Sequence, residues 1–470
     1  MQITQIQSKL INKAKNYILE LEKKGINLAN STYCYLTCWG ESLGYSKLRL
    51  WSNGYREFFN LIKIFFKNLY LISCYSTFDL FNLKKGKNYS KLIVSWCYNK
   101  DFNDDGSFND RYFGINSKQT PNTLWLLISI DNKIPKYIDN NLCILKRITS
   151  SINILYLFKQ ILNLIIEKRF SLRKIFHELS FHSFLSKLII KKIDKNFEEF
   201  NFDTILMPYE AQPFQHVLFH YYKQKKQNIK TIGYLHNMLS PLPTEYFYRT
   251  GSPDQLIIHG QNQSKVLVKH LSWPKERILL SKSFGFSTKK KEDMCNVFLP
   301  YQMQNFNLAT KQFLNFLKNS SRNSYKKLKV KIHPNNVNSS RYQTLKKEIE
   351  LILNQFKDRF CDNHYNEKIS VIFGFSSLII QSLEKGNKVI QVSSYPALEV
   401  FGNDDDLWED LHVEQINENV FCYDLKKKSK YIPSSLKHDK PPIPSPNIAI
   451  FFAPEAFRIL KISETGLPST

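Results

Sequence analysis

Short apolar runs of strand length alternate with runs of helix length in this 470-residue chain, and the alternation begins twice. The first series spans residues 91–280 and the second spans residues 296–392. A charged segment, residues 288–293, separates them. Strands that alternate with helices pair in parallel through crossover connections. The sequence therefore predicts an α/β protein with two Rossmann-like, doubly wound sheets.

The predicted domain boundaries follow from this alternation. Residues 1–287 form the N-terminal domain, with a helical insertion near residues 142–200, where Phe, Leu, Ile and Lys occur in blocks. Residues 288–294 form a linker, residues 295–446 the C-terminal domain, and residues 447–470 a last helix and tail. Two such halves joined by one linker resemble the GT-B architecture. Ligands of such sheets bind at the carboxyl ends of the strands, here in a cleft between the halves.

The net charge of +25 has two explanations. Lys, Asn, Ile, Phe and Tyr are all abundant, as A/T-rich codons would produce, or the basic residues serve an anionic partner. No nucleic-acid-binding signature occurs, so we expect no nucleic-acid partner. Residues 58–72 combine Phe, Leu and Ile with Lys63 and Lys67, which predicts either a packed helix or a peripheral contact with the inner membrane.

The eight cysteines are scattered, and none forms a Cys-x-x-Cys pair. In a chain of this size the pattern predicts reduced thiols and a cytoplasmic protein, not a disulfide framework. No stretch of about eighteen residues lacks charged side chains, so the sequence predicts no membrane-spanning helix.

Two short motifs follow strands of the second series. His333-Pro334 ends one strand, and Gly374 precedes Ser376-Ser377 at the start of a helix. Free N–H groups and the positive dipole end of a helix bind phosphate, and a histidine nearby can donate to it and stabilise the leaving group's charge. The alternatives are a helix cap for the serines and a turn for His333-Pro334. We predict that these five residues bind phosphate and that His333 is catalytic.

The order of these motifs resembles that in the bacterial sialyltransferases and the Kdo transferases of capsule synthesis, over residues 297–392. In those families the motifs bind the nucleotide of a CMP-activated sugar. The resemblance implies that the C-terminal domain binds a nucleotide-sugar donor, with a nonulosonic acid or Kdo as the candidate sugar.

Segments of the first half carry a second resemblance. They are residues 207–215 (MPYEAQPFQ), 232–243 (IGYLHNMLSPLP) and 248–260 (YRTGSPDQLIIHG), with the loop DRYFG at residues 110–114. They resemble bacterial surface-carbohydrate biosynthesis proteins from O-antigen-type clusters. The resemblance implies a role in making a surface polysaccharide, with a glycan or lipid-linked glycan as acceptor.

An inverting sugar transfer needs a base that takes a proton from the acceptor hydroxyl. Glu210 lies just past a strand end, beside Gln212, and is the first candidate; a surface or capping role is the alternative. Asp105 is the rival base, because Asp104-Asp105-Gly106 resembles the acidic motif of the sialyltransferases.

Basic side chains of the first half are candidates for substrate binding. Arg249 and Arg111 suit a sugar carboxylate, because a guanidinium binds a carboxylate through two hydrogen bonds. His236 suits a phosphate or a carboxylate, and Gln212 completes the predicted substrate-binding set.

Three consecutive aspartates, residues 404–406, have the spacing with which GT-A glycosyltransferases bind a metal, but they lie in a predicted loop after a Rossmann-like half. We therefore expect a metal-independent enzyme without a cofactor. No P-loop or G-x-S-x-G motif occurs to support an NTPase or a hydrolase. Three hypotheses remain. The first is a glycosyltransferase, of the inverting GT-B type, that uses a CMP-activated sugar. The second is a transferase for a nucleotide-diphosphate sugar or a polyol phosphate, and the third is a non-catalytic subunit of a polysaccharide assembly complex.

Overall fold

A computed structural model describes residues 77–148, 181–281 and 295–425, apart from short gaps, and five helical residues between Ile11 and Leu19. The gaps are residues 85, 226–227, 238, 240–242, 260, 301–305, 320–324, 361–366, 375, 394–410 and 418. Several predicted features lie outside the described residues: the helix at 58–72, the linker at 288–294, the aspartates at 404–406 and the tail at 447–470.

The first sheet has eight strands in the order β1-β4-β3-β2-β5-β6-β7-β8. They are β1 (Thr77–Phe81), β2 (Lys91–Cys97), β3 (Thr123–Ser129), β4 (Leu142–Ile148), β5 (Thr204–Pro208), β6 (Lys230–Tyr234), β7 (Gln255–Ile258) and β8 (Ile278–Leu280). Strands β2 to β8 are parallel, and β1 is antiparallel to β4. The chain winds outward from β2 to β4 on one side and from β5 to β8 on the other, so the winding reverses between β2 and β5.

Successive side chains of a central strand enter two different cores, because they point to opposite faces of the sheet. Leu92 and Val94 of β2 face the side covered by three helices, which are α1 (Phe181–Phe197), α2 (Pro213–Lys225) and α3 (Gln261–Leu271). Ile93 faces the other side, where Phe108 and Phe113 of the β2–β3 connection pack. Burial on both faces explains why Leu92, Ile93 and Val94 form a continuous apolar run.

The second sheet has six strands in the order β10-β9-β11-β12-β14-β13. They are β9 (Asn296–Leu299), β10 (Lys329–Ile332), β11 (Ile369–Phe373), β12 (Lys388–Val392), β13 (Leu411–Asn417) and β14 (Val420–Leu425). Strands β9 to β12 are parallel, and the β13–β14 hairpin pairs antiparallel with β12. The winding reverses between β9 and β11.

Helices cover both faces of the second sheet. One core contains Phe313 and Phe316 of α4 (Phe306–Asn319) together with Leu345 and Ile349 of α5 (Ser340–Gln355); residues three or four apart share one side of a helix. The opposite core contains residues of α6 (Leu378–Glu384). The predicted α/β class with two doubly wound, parallel-rich sheets is confirmed. The domain boundaries and the cleft between the halves stay predictions.

The prediction of helix is wrong for residues 142–148, which form strand β4. Residues 142–145 are 0% exposed, and β4 lies between β3 and β1. A short apolar run buried on both faces has no alternation that distinguishes strand from helix. Later in the predicted insertion, α1 is helical as expected.

Candidate functional site

The carboxyl ends of β2, β5 and β6 lie side by side where the winding of the first sheet reverses. Ligands of doubly wound sheets bind at such a reversal, because the neighbouring connections leave in opposite directions and open a crevice. Residues that follow these three strands meet there: Tyr112, Glu210, Gln212 and His236, which we call the switch-point cluster.

A tight turn between β5 and α2 presents Glu210. Ala211 in this turn has a φ of 52°, in the left-handed region that costs a residue with a Cβ about 1–2 kcal/mol. Gln215 holds the turn: its Oε1 accepts from the N–H groups of Glu210 and Gln212 at 3.1 and 3.0 Å, and its Nε2 donates to Pro208 O at 2.6 Å. Backbone held in an unfavourable region by surrounding bonds is common at functional sites.

Both carboxylate oxygens of Glu210 have partners. Gln212 Nε2 donates to Oε2 at 2.6 Å, and His236 Nε2 lies 3.4 Å from Oε1. Burial raises the pKa of Glu210, but the interactions with His236 and Gln212 outweigh burial, so the pKa is lowered overall. Glu210 is therefore ionised at neutral pH, as a general base must be.

The ring of His236 is oriented from two directions. Its Nε2 lies 2.9 Å from Asn237 Nδ2 and also faces Glu210. Its ring stands edge-on to that of Tyr112, with the centroids 4.5 Å apart. Its Nδ1 is buried and has no hydrogen-bond partner within the described part of the chain. The ring of Tyr234 is a second aromatic neighbour, with its centroid 6.4 Å from that of His236. The ring orientation therefore depends on the contacts at Nε2, on Tyr112 and on Tyr234.

Arg111 lies at the rim of the switch-point cluster. Its Nη2 pairs with Asp101 at 2.6 Å, and its guanidinium carbon lies 4.4 Å from the ring centroid of Tyr98 and 5.7 Å from that of Tyr112. The side chain is 34% exposed. Because a guanidinium has five N–H donors, the pair with Asp101 leaves donors for an anionic substrate.

Asp105, the rival base, has its own partners in the same loop. It is exposed, and its carboxylate accepts from Lys118 Nζ at 2.7 Å and from Ser107 Oγ at 2.6 Å. The hydrogen bonds from Lys118 and Ser107 hold its pKa well below the usual range. Glu210 is the better candidate, because it lies at the carboxyl end of β5 in the switch-point cluster, where ligands of such sheets bind.

Arg249 lies inside the protein. It is 3% exposed, and its Nη1 donates to the carbonyl oxygens of Glu245 and Phe247 at 2.7 and 3.0 Å. These bonds fix the segment that precedes β7. The predicted contact of Arg249 with a sugar carboxylate stays a prediction.

Asp110 is a buried carboxyl in the loop after β2, and it is 3% exposed. Ser95 Oγ of β2 donates to its Oδ2 at 2.5 Å, and the N–H groups of Tyr112 and Phe113 donate to its Oδ1 at 2.8 and 2.7 Å. Burial raises the pKa of Asp110 to about 6, although these bonds oppose the rise.

The raised pKa of Asp110 predicts a pH dependence of stability. A folded state that binds the proton more tightly than the unfolded chain gains stability from this group at low pH, and loses that gain as the pH rises through about 6. We therefore expect the free energy of unfolding of Asp110→Asn, minus that of the parent, to rise by up to about 3 kcal/mol as the pH increases from 4 to 7.5. Urea unfolding of both proteins across this range measures the difference. A difference that stays constant with pH would contradict the prediction.

Two of the residues predicted to bind phosphate lie beside the end of β10. His333 follows β10, and Pro334–Asn336 forms a short 3-10 turn after it. Asn336 Nδ2 donates to Pro300 O at 3.2 Å, which ties this turn to the end of β9, at the reversal of the winding. Burial lowers the pKa of His333, so its imidazole is neutral at pH 7 and keeps one N–H donor.

The other predicted phosphate-binding residues follow β11, on the other side of the same reversal. The N–H of Gly374 donates to Val392 O at 2.9 Å. Ser376 Oγ accepts from Leu378 N at 3.3 Å, which is the capping role that the sequence left open. Ser377 makes no side-chain capping bond. Helix α6 has seven residues, so its dipole adds little to phosphate binding.

Across the described ranges, no group of three or more His, Cys, Asp or Glu side chains is arranged to hold a metal ion. No helix in those ranges combines the length and apolar character that a membrane span needs. Four of the cysteines, Cys97, Cys143, Cys295 and Cys422, are buried free thiols.

Sequence reasoning missed several residues that build the site. Tyr112 and Asp110 lie in the DRYFG segment that was singled out as a whole, and Gln215 ends the segment 207–215. The only sequence signal for Tyr112, Asp110 and Gln215 was that they belong to these segments. Ser95 interrupts the apolar run of β2 and carries no signal of its own.

Comparisons with known proteins add solved structures of low similarity. No family model and no curated protein matches the sequence. A glycosyltransferase from Rickettsia africae ESF-5 matches with 11% identity and a TM-score of 0.34, over 71% of this chain and 86% of that chain. An E. coli trehalose-6-phosphate structure bound with UDP-2-fluoro glucose matches with 11% identity and a TM-score of 0.34, over 66% and 83%. An α,α-trehalose 6-phosphate synthase from Burkholderia multivorans matches with 10% identity and a TM-score of 0.32, over 62% and 77%. TM-scores this low carry no argument, so the proposals below rest on the residues of this chain.

Proposed function

We propose that this protein is a metal-independent, inverting glycosyltransferase of surface-polysaccharide biosynthesis. It transfers a sugar from a nucleotide-sugar donor to a glycan or lipid-linked glycan acceptor. The observation that carries the proposal is that, in each sheet, side chains suited to sugar transfer lie at the point where the winding reverses. The first sheet has an ionised carboxylate beside a histidine, and the second has a histidine and serines near the ends of β10 and β11.

The acceptor side of the proposed reaction is the switch-point cluster. Glu210 takes the proton of the acceptor hydroxyl as the hydroxyl oxygen attacks the anomeric carbon of the donor. Gln212 contacts one carboxylate oxygen of Glu210 and His236 the other, and together they hold the ionised carboxylate in position. Arg111 at the rim binds the carboxylate of an acidic sugar.

The donor side is the carboxyl edge of the second sheet. His333 donates a hydrogen bond to the donor phosphate and stabilises the negative charge on the leaving nucleotide. Backbone N–H groups and the hydroxyl of Ser377 supply further donors. The motif resemblance favours CMP as the nucleotide, with a nonulosonic acid or Kdo as the sugar.

The donor side is tested by nucleotide binding to His333→Ala. The variant loses a hydrogen bond to a charged group, worth about 1.5–3 kcal/mol, so we expect roughly ten- to a hundredfold weaker binding. Ser377→Ala should have a smaller effect if backbone groups make most of the phosphate contacts. Isothermal calorimetry with CMP, CDP and UDP measures the affinities.

The matched control is His412→Ala, because His412 is an exposed histidine on β13 of the same sheet. It should bind nucleotide as the parent does. Equal binding by His333→Ala and the parent would refute the phosphate site. Binding of UDP or CDP in preference to CMP would instead favour a nucleotide-diphosphate-sugar or polyol-phosphate transferase. Absence of binding to any nucleotide by the parent would favour the non-catalytic subunit.

A further inference from the structure

The loop between β2 and β3 crosses the reversal of the winding and reaches the end of β6. It leaves β2, yet its Phe113 ring lies 5.4 Å from the ring of Tyr234 at the end of β6. The next ring back, that of Tyr112, packs against His236 and lies 5.6 Å from Trp96. Because β5 separates β2 from β6 in the sheet, these two side chains bridge the crevice in which Glu210 lies.

One buried carboxyl accepts hydrogen bonds from the backbone of both ring-bearing residues. Asp110 accepts the N–H groups of Tyr112 and Phe113 on a single oxygen, Oδ1. Its own N–H donates to Ile115 O at 2.9 Å, and its carbonyl oxygen accepts from Gly114 N at 3.0 Å. The remaining carboxylate oxygen accepts from Ser95, which lies inside β2. The turn that carries Tyr112 is thus tied to a strand through one side chain.

We propose that Asp110 is a positioning residue: with Ser95 it fixes the turn at residues 110–114 so that Tyr112 holds the imidazole of His236 against Glu210. The inference rests on the proposed function and gives a role to one residue of the segment 110–114, which the sequence indicated only as a whole. It is supported by the state of His236, whose Nδ1 has no hydrogen-bond partner among the described residues. A ring that is hydrogen-bonded through one nitrogen depends on its ring neighbours for its orientation, and Tyr112, with its centroid 4.5 Å from that of His236, is closer than Tyr234 at 6.4 Å.

Asp110 does not itself act on substrate, because it is 3% exposed and both its oxygens already accept hydrogen bonds. Two substitutions, Asp110→Asn and Asp110→Ala, therefore distinguish a positioning role from an acid–base role. Asparagine has the same shape, and its Oδ1 can accept from Tyr112 and Phe113 while its Nδ2 donates to Ser95 Oγ. A positioning role therefore tolerates Asp110→Asn and fails with Asp110→Ala, whereas an acid–base role fails with both.

The first readout requires no substrate. NMR of the full chain with labelled histidines gives the imidazole signal of His236, assigned by its loss in His236→Gln. We expect Asp110→Ala to shift this signal and Asp110→Asn to leave it near the parent position. The matched control is Asp131→Asn. Asp131 also accepts a backbone N–H of this loop, from Asn99 at 3.0 Å, but Asn99 lies near the start of the loop, away from Tyr112 in the sequence. It should leave the signal unchanged.

The second readout is turnover. Misplacing a catalytic group by about 1 Å costs up to about a hundredfold, so we expect Asp110→Ala to lower kcat about ten- to a hundredfold with CMP affinity unchanged. Asp110→Asn should restore kcat. If Asp110→Ala fails to fold, Ser95→Ala removes one of the bonds and should shift the His236 signal in the same direction.

An unshifted His236 signal in the folded alanine variants would overturn the proposal, as would an Asp110→Asn variant as impaired as Asp110→Ala. The proposed function fails separately. If the parent binds none of CMP, CDP and UDP, glycosyl transfer is rejected, while the NMR comparison still decides whether Asp110 positions His236.

Discussion

Glu210→Gln is expected to lower sugar transfer by roughly 10²–10⁴-fold, the usual contribution of a general base, while nucleotide affinity stays close to that of the parent. The glutamine keeps the shape of the side chain and one acceptor oxygen, but it cannot take a proton. The pKa of Glu210 is lowered, so the carboxylate stays ionised until the pH is acidic. Activity of the parent should fall as the pH drops through this pKa, because the protonated carboxyl group cannot act as a base. Transfer and CMP binding measured on the same preparations separate the two effects.

The matched control for this variant is Glu276→Gln. Glu276 is exposed and precedes β8, so it lies at the amino edge of the same sheet, opposite the switch-point cluster. It should transfer sugar at the parent rate. If Glu210→Gln also keeps the parent rate, the base lies elsewhere, and Asp105 becomes the candidate despite its ion pair with Lys118.

Gly251→Ala is expected to lower the free energy of unfolding by about 2–5 kcal/mol. Gly251 has a φ of 83°, which costs a residue with a Cβ about 1–2 kcal/mol. A Cβ there would also overlap His216 O and lie 2.9 Å from the carbonyl carbon of His216, and overpacking of this kind adds about 1–3 kcal/mol. His216 is fully buried and bonded to Tyr209, beside Glu210, so relief of the overlap would also move the turn that presents the carboxylate.

Gly86→Ala is the control for this prediction. Gly86 has nearly the same φ, 84°, but no atom lies within 4 Å of a Cβ built there. Gly86→Ala should therefore show the conformational cost alone, about 1–2 kcal/mol. Urea unfolding followed by tryptophan fluorescence measures both variants. Equal losses of stability in the two would show that the contact with His216 contributes nothing.

The strands of the central sheets were predictable because burial on both faces leaves a local pattern. The runs KLIVSW of β2 and KVIQV of β12 are mostly apolar and contain no Gly or Pro, and each forms a strand. Strand β13 was missed, since LHVEQIN lies at the edge of its sheet and most of its side chains are exposed. Strand β4 was assigned to a helix, because a buried run lacks the periodicity that separates the two structures.

The placement of Glu210 and His333 after strands was also a local property. A polar residue directly after a parallel strand lies at the carboxyl edge whatever the order of the strands, so both candidates could be named before the sheet was known. The sequence determined the two series of parallel strands and the edge at which chemistry should occur.

Only the tertiary structure decided which of these edge residues meet. The order of the first sheet puts β5 beside β2, and this brings Tyr112 from one connection against His236 from another. Strand order arises from long-range pairing, which leaves no periodic signal in the chain. For the same reason Asp105 and Asp110, five positions apart in one polar loop, could not be told apart: one is exposed beside Lys118, and the other is buried against Ser95.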